Sequence, residues 1–358
     1  MPSGADANRA VYPCGPISSL DKLARTLSCG TEELRGLAAA AERLYKERLK
    51  KKKDGSTRIC YDALKPLKRI QGLIKHRILA HVRFPSYVMG GVGDPDNPRD
   101  YVRNAQLHTG ARVVIGEDVS NFFPSTSRKT VREIWRHFFH FSPEVADLLT
   151  ALTTKGGSLP QGARTSCHLA NLAFWAIEPY LVRKLAEKGF RYSRYVDDLA
   201  VSCARDCTAS ELKYAVSEIV SMVRRGGQHL KRKKHSIARA GAPASRFRRS
   251  ASAKEKSKMR VTGLNVGPGA SIPPAKRGTA RALVHRCEVL AAINPYSPEL
   301  PAIIRRAAGH VGQMRRLHPR QAERLKARLA AVTARGSESM GGKQLGAPGL
   351  PLSMFAGA

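Results

Sequence analysis

The sequence predicts an α+β fold followed by an all-helical C-terminal region. Short runs rich in aromatic and β-branched residues flank the acidic pair Asp197-Asp198, a pattern typical of a β-hairpin. A second strand pattern covers residues 112–119, and from Pro273 onward apolar residues recur at helical spacing. With 358 residues, 42% of them hydrophobic, the chain is long enough for about two domains with substantial cores.

The chain is strongly basic. It has 62 Lys and Arg against 28 Asp and Glu, a formal charge of +34, and a pI near 10.5. This excess predicts a polyanionic partner and lies outside the range of ordinary metabolic enzymes. No apolar run approaches the roughly 18 residues that span a membrane, and residues 1–19 lack the order of a signal peptide. The seven cysteines show no CxxC spacing, so we expect reduced thiols in a cytoplasmic protein without membrane contact.

The N-terminal part of the chain is expected to contain a loose segment, two helices and a strand between them. Residues 1–30 are rich in Pro, Gly and Ser and predict a loosely ordered segment. A helix is expected from Thr31 up to the basic run Lys50 to Lys53, followed by a turn and a strand at residues 57–61, with a second helix over residues 64–82. The basic run is either a solvated surface or a binding site for a triphosphate, and the sequence leaves both open.

Three carboxylates carry the predicted chemistry. Asp118 ends the strand at residues 112–119 and lies 79 residues before Asp197, so the two meet if their strands adjoin in one sheet. Adjacent carboxylates repel each other and raise each other's pKa unless cations neutralise them. Hard divalent cations such as Mg²⁺ prefer carboxylate oxygens. Asp118, Asp197 and Asp198 are therefore expected to surround two cations that assist phosphoryl transfer.

A glycine-containing loop, Leu159 to Ser166, opens a helix expected to run from about Cys167 to Lys188. Gly162 permits close backbone approach, and Ser166 is expected to cap the helix. The loop could line a nucleotide pocket with its amide groups and the side chain of Gln161. A second glycine-rich stretch, Gly90 to Gly93, lacks the strand-to-helix context of a dinucleotide-binding loop.

The remaining chain is expected to support this site. A capping box at Thr208 to Glu211 opens a helix that ends at Gly226-Gly227, residues 239–260 form a basic, exposed excursion, and residues 336–358 form a disordered tail. Between them lie three predicted helices whose polar faces are rich in arginine, a composition suited to the backbone of an A-form duplex. These arginines are Arg277, Arg281, Arg286, Arg305, Arg306, Arg315, Arg316, Arg320, Arg324 and Arg328.

Over about Tyr45 to Val266 the chain resembles the reverse transcriptases. The segment at Asp118 resembles their first palm motif, Leu159 to Ser166 the second, and Tyr195-Val196-Asp197-Asp198 the third. Two further stretches resemble the NAxxH and VTG signatures of retron reverse transcriptases. They are Asn104-Ala105-Gln106-Leu107-His108 and Val261-Thr262-Gly263.

The resemblance implies a right-hand polymerase that performs RNA-directed DNA synthesis. Fingers and palm would occupy residues 31–270 and a helical thumb residues 271–335. Asp118, Asp197 and Asp198, with the backbone of Val119, would bind two Mg²⁺ ions, for which Mn²⁺ could substitute, and Asp198 would be the least directly engaged. The resemblance assigns nucleotide binding to Lys52, Lys53, Arg58, Phe123, Gln161 and Lys234, and RNA or primer binding to Asn104, His108, Val261, Thr262 and Gly263.

The retron signatures also imply partners. They are a dedicated structured RNA of the msr-msd type, its branched RNA–DNA product (msDNA), dNTPs, and a toxic effector protein in antiphage defence. A group II intron or other bacterial defence reverse transcriptase is the alternative, although the short stretch after the helical region favours the retron assignment. A catalytically silent RNA-binding scaffold is an alternative of another class.

Overall fold

The structure, a computed structural model, describes residues 8–52, 55–241 and 259–338. The chain divides into two compact units, Met1–Ala270 and Ser271–Ala358. In the described residues, no helix combines the length and the apolar character needed to cross a membrane. Lys53, most of the basic stretch between residues 239 and 260, and the predicted tail from residue 339 onward lie outside the described residues.

The first unit begins with two helices, α1 (Leu20–Leu27) and α2 (Thr31–Ala40). The expectation of a loosely ordered segment up to residue 30 is wrong for α1. The Ser19 hydroxyl caps α1 by accepting a hydrogen bond from the Lys22 amide, 3.2 Å away. Its leucines at positions 20, 23 and 27 are buried in the main core. This apolar stripe is only two turns long, which is too short to stand out among the flanking Gly, Pro and Ser residues.

A β-hairpin follows, formed by β1 (Tyr45–Lys51) and β2 (Thr57–Ala63). The strands are antiparallel, with Tyr45 opposite Ala63 and Lys51 opposite Thr57. The predicted helix up to the basic run is therefore wrong, because α2 ends at Ala40 and a 3₁₀ turn leads into β1. Lys, Glu, Arg and Leu favour helices individually, but the ladder of hydrogen bonds to β2 overrides that weak preference.

The centre of this unit is an antiparallel sheet of four strands in the order β4-β5-β3-β6. Helices α3 (Lys65–Arg77) and α4 (Tyr101–Gln106) precede it in the chain. Because β3 lies between β5 and β6, it is paired along both edges. The strands are β3 (Val113–Asp118), β4 (Arg191–Tyr195), β5 (Asp198–Cys203) and β6 (Ser236–Arg239).

Helices and short turns connect the strands and contribute to the core. The predicted helix from Cys167 to Lys188 is two helices separated by turns over residues 172–177. Pro179 lies in the first turn of the second helix, where its missing amide costs no hydrogen bond. The prediction that Ser166 caps the first of these helices is wrong, because Thr165 occupies the capping position. The Ser166 hydroxyl donates a hydrogen bond to the Pro160 carbonyl at 2.7 Å. The capping box at Thr208 is confirmed. These helices are α5 (Phe122–Ser125), α6 (Arg128–Glu133), α7 (Pro143–Thr153), α8 (Ser166–Asn171), α9 (Glu178–Glu187) and α10 (Ala209–Arg225).

Near the end of the first unit, β7 (Arg260–Val261) and β8 (Leu264–Val266) pair as a tight hairpin. The two-residue strand β9 (Ala270–Ser271) follows.

The second unit is helical, as the apolar spacing predicts. Its helices are α11 (Pro274–Ile293), α12 (Leu300–Met314) and α13 (Pro319–Glu338), and each packs against the other two. The arginines of the predicted polar faces are exposed, except for the half-buried Arg277. The apolar stripes point inward and bury Leu283, Val284, Cys287, Ala322, Leu325, Leu329 and Val332.

Candidate active site

The acidic pair lies at the turn of the hairpin formed by β4 and β5, as predicted. Tyr195 is paired with Asp198, so Val196 and Asp197 are the two turn residues. Val196 has a φ of 60°, a left-handed conformation that is costly for a β-branched residue and is found in the tightest hairpin turns. Asp197 therefore belongs to the turn, whereas Asp198 is the first residue of β5.

The structure brings Asp118 to this turn. Asp118 and Asp198 are directly opposite each other across β3 and β5, and the Val119 amide donates a hydrogen bond to the Asp197 carbonyl at 2.9 Å. The Asp118 side chain is 5% exposed and that of Asp198 is 54% exposed. The prediction that the two strands adjoin and gather three acidic residues at one end of the sheet is confirmed.

The ionisation of Asp197 and Asp198 is perturbed by burial and by neighbouring carboxylates. Burial, and then the negative charge of Asp118, raise the pKa of Asp197 above its ordinary value. Desolvation by surrounding atoms and the charge of Asp197 raise the pKa of Asp198 to about 7, although half of its side chain meets solvent. Like charges held this close disfavour full ionisation, so the site has a strong demand for positive charge.

Lys234 meets part of this demand. Its ammonium group forms a short ion pair with Asp118 and lies 3.9 Å from Asp198. The backbone holds this arrangement, because the Lys231 amide donates to the Asp118 carbonyl at 2.7 Å. Burial lowers the pKa of Lys234, but the hydrogen bond and the charge of Asp118 outweigh it and raise that pKa. A protonated amine therefore lies at the carboxylate site.

The described residues contain no group of three or more His, Cys, Asp or Glu side chains placed to hold a metal ion. The donors at Asp118, Asp197 and Asp198 are nevertheless hard oxygens, the type preferred by Mg²⁺ and Mn²⁺. The raised pKa values of Asp197 and Asp198 show that added positive charge would stabilise the ionised forms of these two carboxylates. The chemistry of these oxygen donors therefore fits divalent cations. In the structure, the ammonium group of Lys234 forms an ion pair with one of the donors, Asp118.

Four of the five predicted RNA- or primer-binding residues, all except His108, line one cleft with the carboxylates. A cavity of about 340 Å³ runs from the carboxylates to the turn between β7 and β8. In that turn, Thr262 and Gly263 have φ values of 47° and 77°, and the Thr262 hydroxyl donates to the Tyr101 carbonyl at 2.6 Å. This bond ties the turn to α4. The cleft is lined in part by Asn104, Asp118, Asp198, Lys234, Thr262 and Gly263.

His108 has a different placement. Its ring is fully buried, and its two nitrogens are 2.7 Å from the hydroxyls of Ser202 and Ser193. Burial lowers the pKa of His108 to about 4, so the ring is neutral near pH 7. The ring joins the end of α4 to β4 and β5 and does not reach the cleft surface. The position of His108 therefore supports a structural role and not direct contact with RNA.

Two of the residues assigned to nucleotide binding lie on the first hairpin and on the glycine loop, which are joined to each other. Arg58 is exposed on β2, and its charge is close enough to act on Asp197. The Gln161 carbonyl accepts a hydrogen bond from the Tyr61 amide at 2.8 Å, which joins the loop to β2. Gly162 has a φ of 114°, and a Cβ there would lie 2.7 Å from the Tyr61 carbonyl oxygen, so only glycine fits.

Phe123 and Lys52, two further nucleotide-site candidates, lie on a short helix and directly after a strand. Phe123 is half-buried on α5, with its ring edge-on to Phe122 at 6.1 Å. Lys52 follows β1 and is half-buried.

A buried polar network behind the turn has no counterpart in the sequence predictions. Arg194 is fully buried and pairs with Glu178 through hydrogen bonds of 2.6 and 2.8 Å. Glu178 also accepts from the Tyr192 hydroxyl at 2.7 Å, and Asn171 accepts from Arg194 at 3.0 Å. The signal that could have revealed this network is the arginine at position 194, between strand residues that favour β-structure and directly before the catalytic turn, because a buried arginine needs a charged partner.

The chain is similar to two curated reverse transcriptases along most of its length. It is 31% identical over 327 residues to the Retron Se72 reverse transcriptase of Salmonella heidelberg (strain 579083-10), covering 91% of this chain and 82% of that protein. It is 29% identical over 328 residues to the Retron Ec48 reverse transcriptase of Escherichia coli, covering 88% and 76% respectively. No protein-family model matches the chain.

Among solved structures, partial similarity is found to apo telomerase from Candida Tropicalis, truncated from its C-terminal domain. It is 14% identical, with a TM-score of 0.42 over 64% of this chain and 55% of that one. Three acidic residues meet at one end of the central sheet. Together with this site, the 31% identity over nine-tenths of the chain shows that the chain belongs to the retron reverse transcriptases, which are RNA-directed DNA polymerases.

Proposed function

We propose that this enzyme copies one dedicated structured RNA into DNA and leaves the product joined to that RNA as msDNA. The observation that supports this most strongly is the shared cleft, in which Asn104 and the Thr262-Gly263 turn lie beside Asp118 and Asp198. Residues typical of the retron subgroup thus adjoin the residues common to all reverse transcriptases. This arrangement suits placement of a special primer end next to the reacting atoms.

In this proposal Asp118, Asp197 and Asp198 hold two divalent cations, Mg²⁺ or Mn²⁺, together with the Val119 backbone. When bound, such ions would activate the attacking hydroxyl and neutralise the leaving pyrophosphate. Lys234 moves from its ion pair with Asp118 toward the leaving group, where it acts as a proton donor. Its half-exposed side chain leaves room for that movement.

The incoming dNTP is held by side chains from three elements. Arg58, with Lys52 and Lys53, binds the triphosphate through charge-assisted hydrogen bonds. Gln161 contacts the nucleotide from the glycine loop, which β2 fixes in place. The Phe123 ring lies beneath the sugar and excludes a ribose 2′-OH.

We further propose that residues 31–270 form fingers and palm and that residues 271–335 form the thumb. The exposed arginines of α11 to α13 suit recognition of an A-form duplex through its phosphates and shape. A stem-loop of the msr-msd RNA is the expected ligand of this surface. A toxic effector protein acting with the msDNA in antiphage defence is the expected protein partner.

Sequencing the nucleic acid that co-purifies with the protein tests this function. We expect one abundant RNA, covalently joined to DNA complementary to part of it. A heterogeneous RNA population with no attached DNA would contradict the retron proposal. The catalytically silent scaffold would be supported instead if the protein also failed to incorporate labelled dNTP with Mg²⁺ or Mn²⁺ on an annealed primer-template.

Phe123→Ala should weaken sugar discrimination. Removal of the ring opens space beside the 2′ position, so incorporation of ribonucleotides relative to deoxyribonucleotides should rise by at least about tenfold, since the contact excludes a whole hydroxyl group. Paired single-nucleotide extension assays measure this ratio. Phe190→Ala is unsuitable as a control because Phe190 is in the core, whereas Tyr180→Ala removes an exposed ring and should leave the ratio unchanged. An unaltered ratio in the Phe123 variant would remove Phe123 from this role.

A further inference from the structure

The glycine-rich stretch at residues 90–93 lies directly against the turn that carries Asp197. A Cβ built on Gly90 would lie 2.7 Å from the Val196 amide nitrogen, 2.7 Å from Val196 Cγ2 and 2.9 Å from the Tyr195 carbonyl carbon. Real Cβ atoms do not approach backbone atoms this closely, so any other residue at position 90 must displace the turn. The φ of Gly90 is not left-handed. Space rather than conformational freedom therefore requires glycine here.

The backbone immediately before Gly90 is paired with β4. The Arg194 amide donates to the Tyr87 carbonyl and the Met89 amide donates to the Arg194 carbonyl, both at 2.8 Å. Val88 and Arg194 thereby form a parallel β-bridge. Residues 87–89 act as a short additional strand beside the catalytic hairpin, and this strand delivers Gly90 to the turn.

Asn171 connects this strand to the buried ion pair. Its side-chain amide donates to the Gly90 carbonyl at 2.8 Å, while its side-chain and backbone carbonyls accept from the Arg194 guanidinium at 3.0 and 2.9 Å. Arg194 is in turn fixed by Glu178 and lies over the ring of Phe174, 5.7 Å from its centroid. Because Asn171 and Arg194 are almost completely buried, each of these bonds is costly to break.

We propose that Gly90, Asn171 and Arg194 form a seat for the catalytic turn, which sets the position of Asp197 relative to Asp118. These are positioning residues, since none of them touches the substrate cleft residues Asp118 or Lys234 in the described contacts. Val196 needs such a seat because its left-handed backbone is unfavourable in isolation. Contacts with the seat hold Val196 in this left-handed conformation. This inference rests on the proposed role of Asp197.

The test compares Gly90→Ala with Gly93→Ala. The two substitutions are chemically identical and three residues apart, but a Cβ at Gly93 would meet nothing within 4 Å. Steady-state extension of an annealed primer-template gives kcat and the KM for dNTP, and Mn²⁺ binding to the free protein is followed by electron paramagnetic resonance. The unfolding midpoint and RNA affinity of each variant are measured alongside.

We expect Gly90→Ala to lower kcat by about 10²-fold, the effect of misplacing a reacting group by roughly 1 Å. It should also weaken Mn²⁺ binding, with little change in KM or RNA affinity, and Gly93→Ala should match the wild type. The double variant Gly90→Ala/Val196→Ala should not recover, because the backbone contacts remain. A wild-type kcat in Gly90→Ala, an equal loss in Gly93→Ala, or recovery in the double variant would each overturn the proposal.

Asn171→Ala provides a second route to the same conclusion, because it disconnects Gly90 from Arg194 without adding an atom. It should lower kcat and Mn²⁺ affinity in the same way. A loss of kcat accounted for entirely by unfolded protein would overturn the positioning role. Asp197→Asn is measured in parallel. An inactive Asp197→Asn variant with a fully active Gly90→Ala variant would contradict the positioning role of Gly90 but not the role of Asp197. An active Asp197→Asn variant would contradict the proposed function of Asp197 itself.

Discussion

Asp197→Asn should lower DNA synthesis by at least about 10³-fold, a loss comparable to the removal of a strong transition-state stabiliser. The substitution preserves the shape of the side chain but removes the charge that would hold cations. Asp118→Asn should have a similar effect, because Asp118 is buried beside the turn and is the partner of Lys234. Extension of a labelled primer on an RNA template, with Mg²⁺ in excess, measures the loss.

Asp206→Asn is the matched control for this prediction. Asp206 is 69% exposed and pairs with Arg112 away from the turn, so its substitution should leave synthesis unchanged. RNA binding should survive in the Asp197 and Asp118 variants, because the exposed arginines are untouched. Substantial synthesis by Asp197→Asn would contradict the assignment of the acidic cluster.

Glu178→Gln should destabilise the first unit by about 3 to 5 kcal/mol, the range found when one partner of a buried ion pair is removed. The variant leaves the guanidinium of Arg194 buried, with 0% of its side chain exposed and without a balancing charge. The free energy of unfolding in urea, followed by a probe in the first unit such as tryptophan fluorescence, measures the change.

Asp147→Asn provides the comparison for Glu178→Gln. It removes the same charge from the pair between Arg132 and Asp147, whose side chains are 47% and 55% exposed. Exposed pairs contribute at most about 1 kcal/mol, so this variant should unfold almost like the wild type. Equal destabilisation by the two substitutions would show that burial does not set the strength of the Arg194 pair.

Local chemical signals made several elements predictable from the sequence. The β-hairpin at Asp197-Asp198 is bounded by residues that favour strands, and the helix after Thr208 opens with a reciprocal cap. The helices of the second unit follow from apolar spacing alone. In each case the signal and the structure lie within one short segment, so no distant partner is needed to decide the outcome.

Other elements depended on partners that are remote in the chain. Residues 45–51 have the composition of a helix, yet they form β1 because β2 offers a complete set of hydrogen-bond partners. The burial of His108 likewise depends on contacts with other segments, because its ring bonds to Ser193 and Ser202. Such contacts compete with local preferences of only a few tenths of a kcal/mol per residue and readily outweigh them.

The sequence by itself determined the acidic residues and their order, the strong positive charge, and the helical character of residues 274–338. The tertiary structure alone decided that Lys234 neutralises Asp118 and that Asn171 links Gly90 to Arg194. Composition and periodicity report how each segment behaves locally. Hydrogen bonds and ion pairs between segments depend on atoms meeting at about 3 Å, and only the packed fold sets those distances.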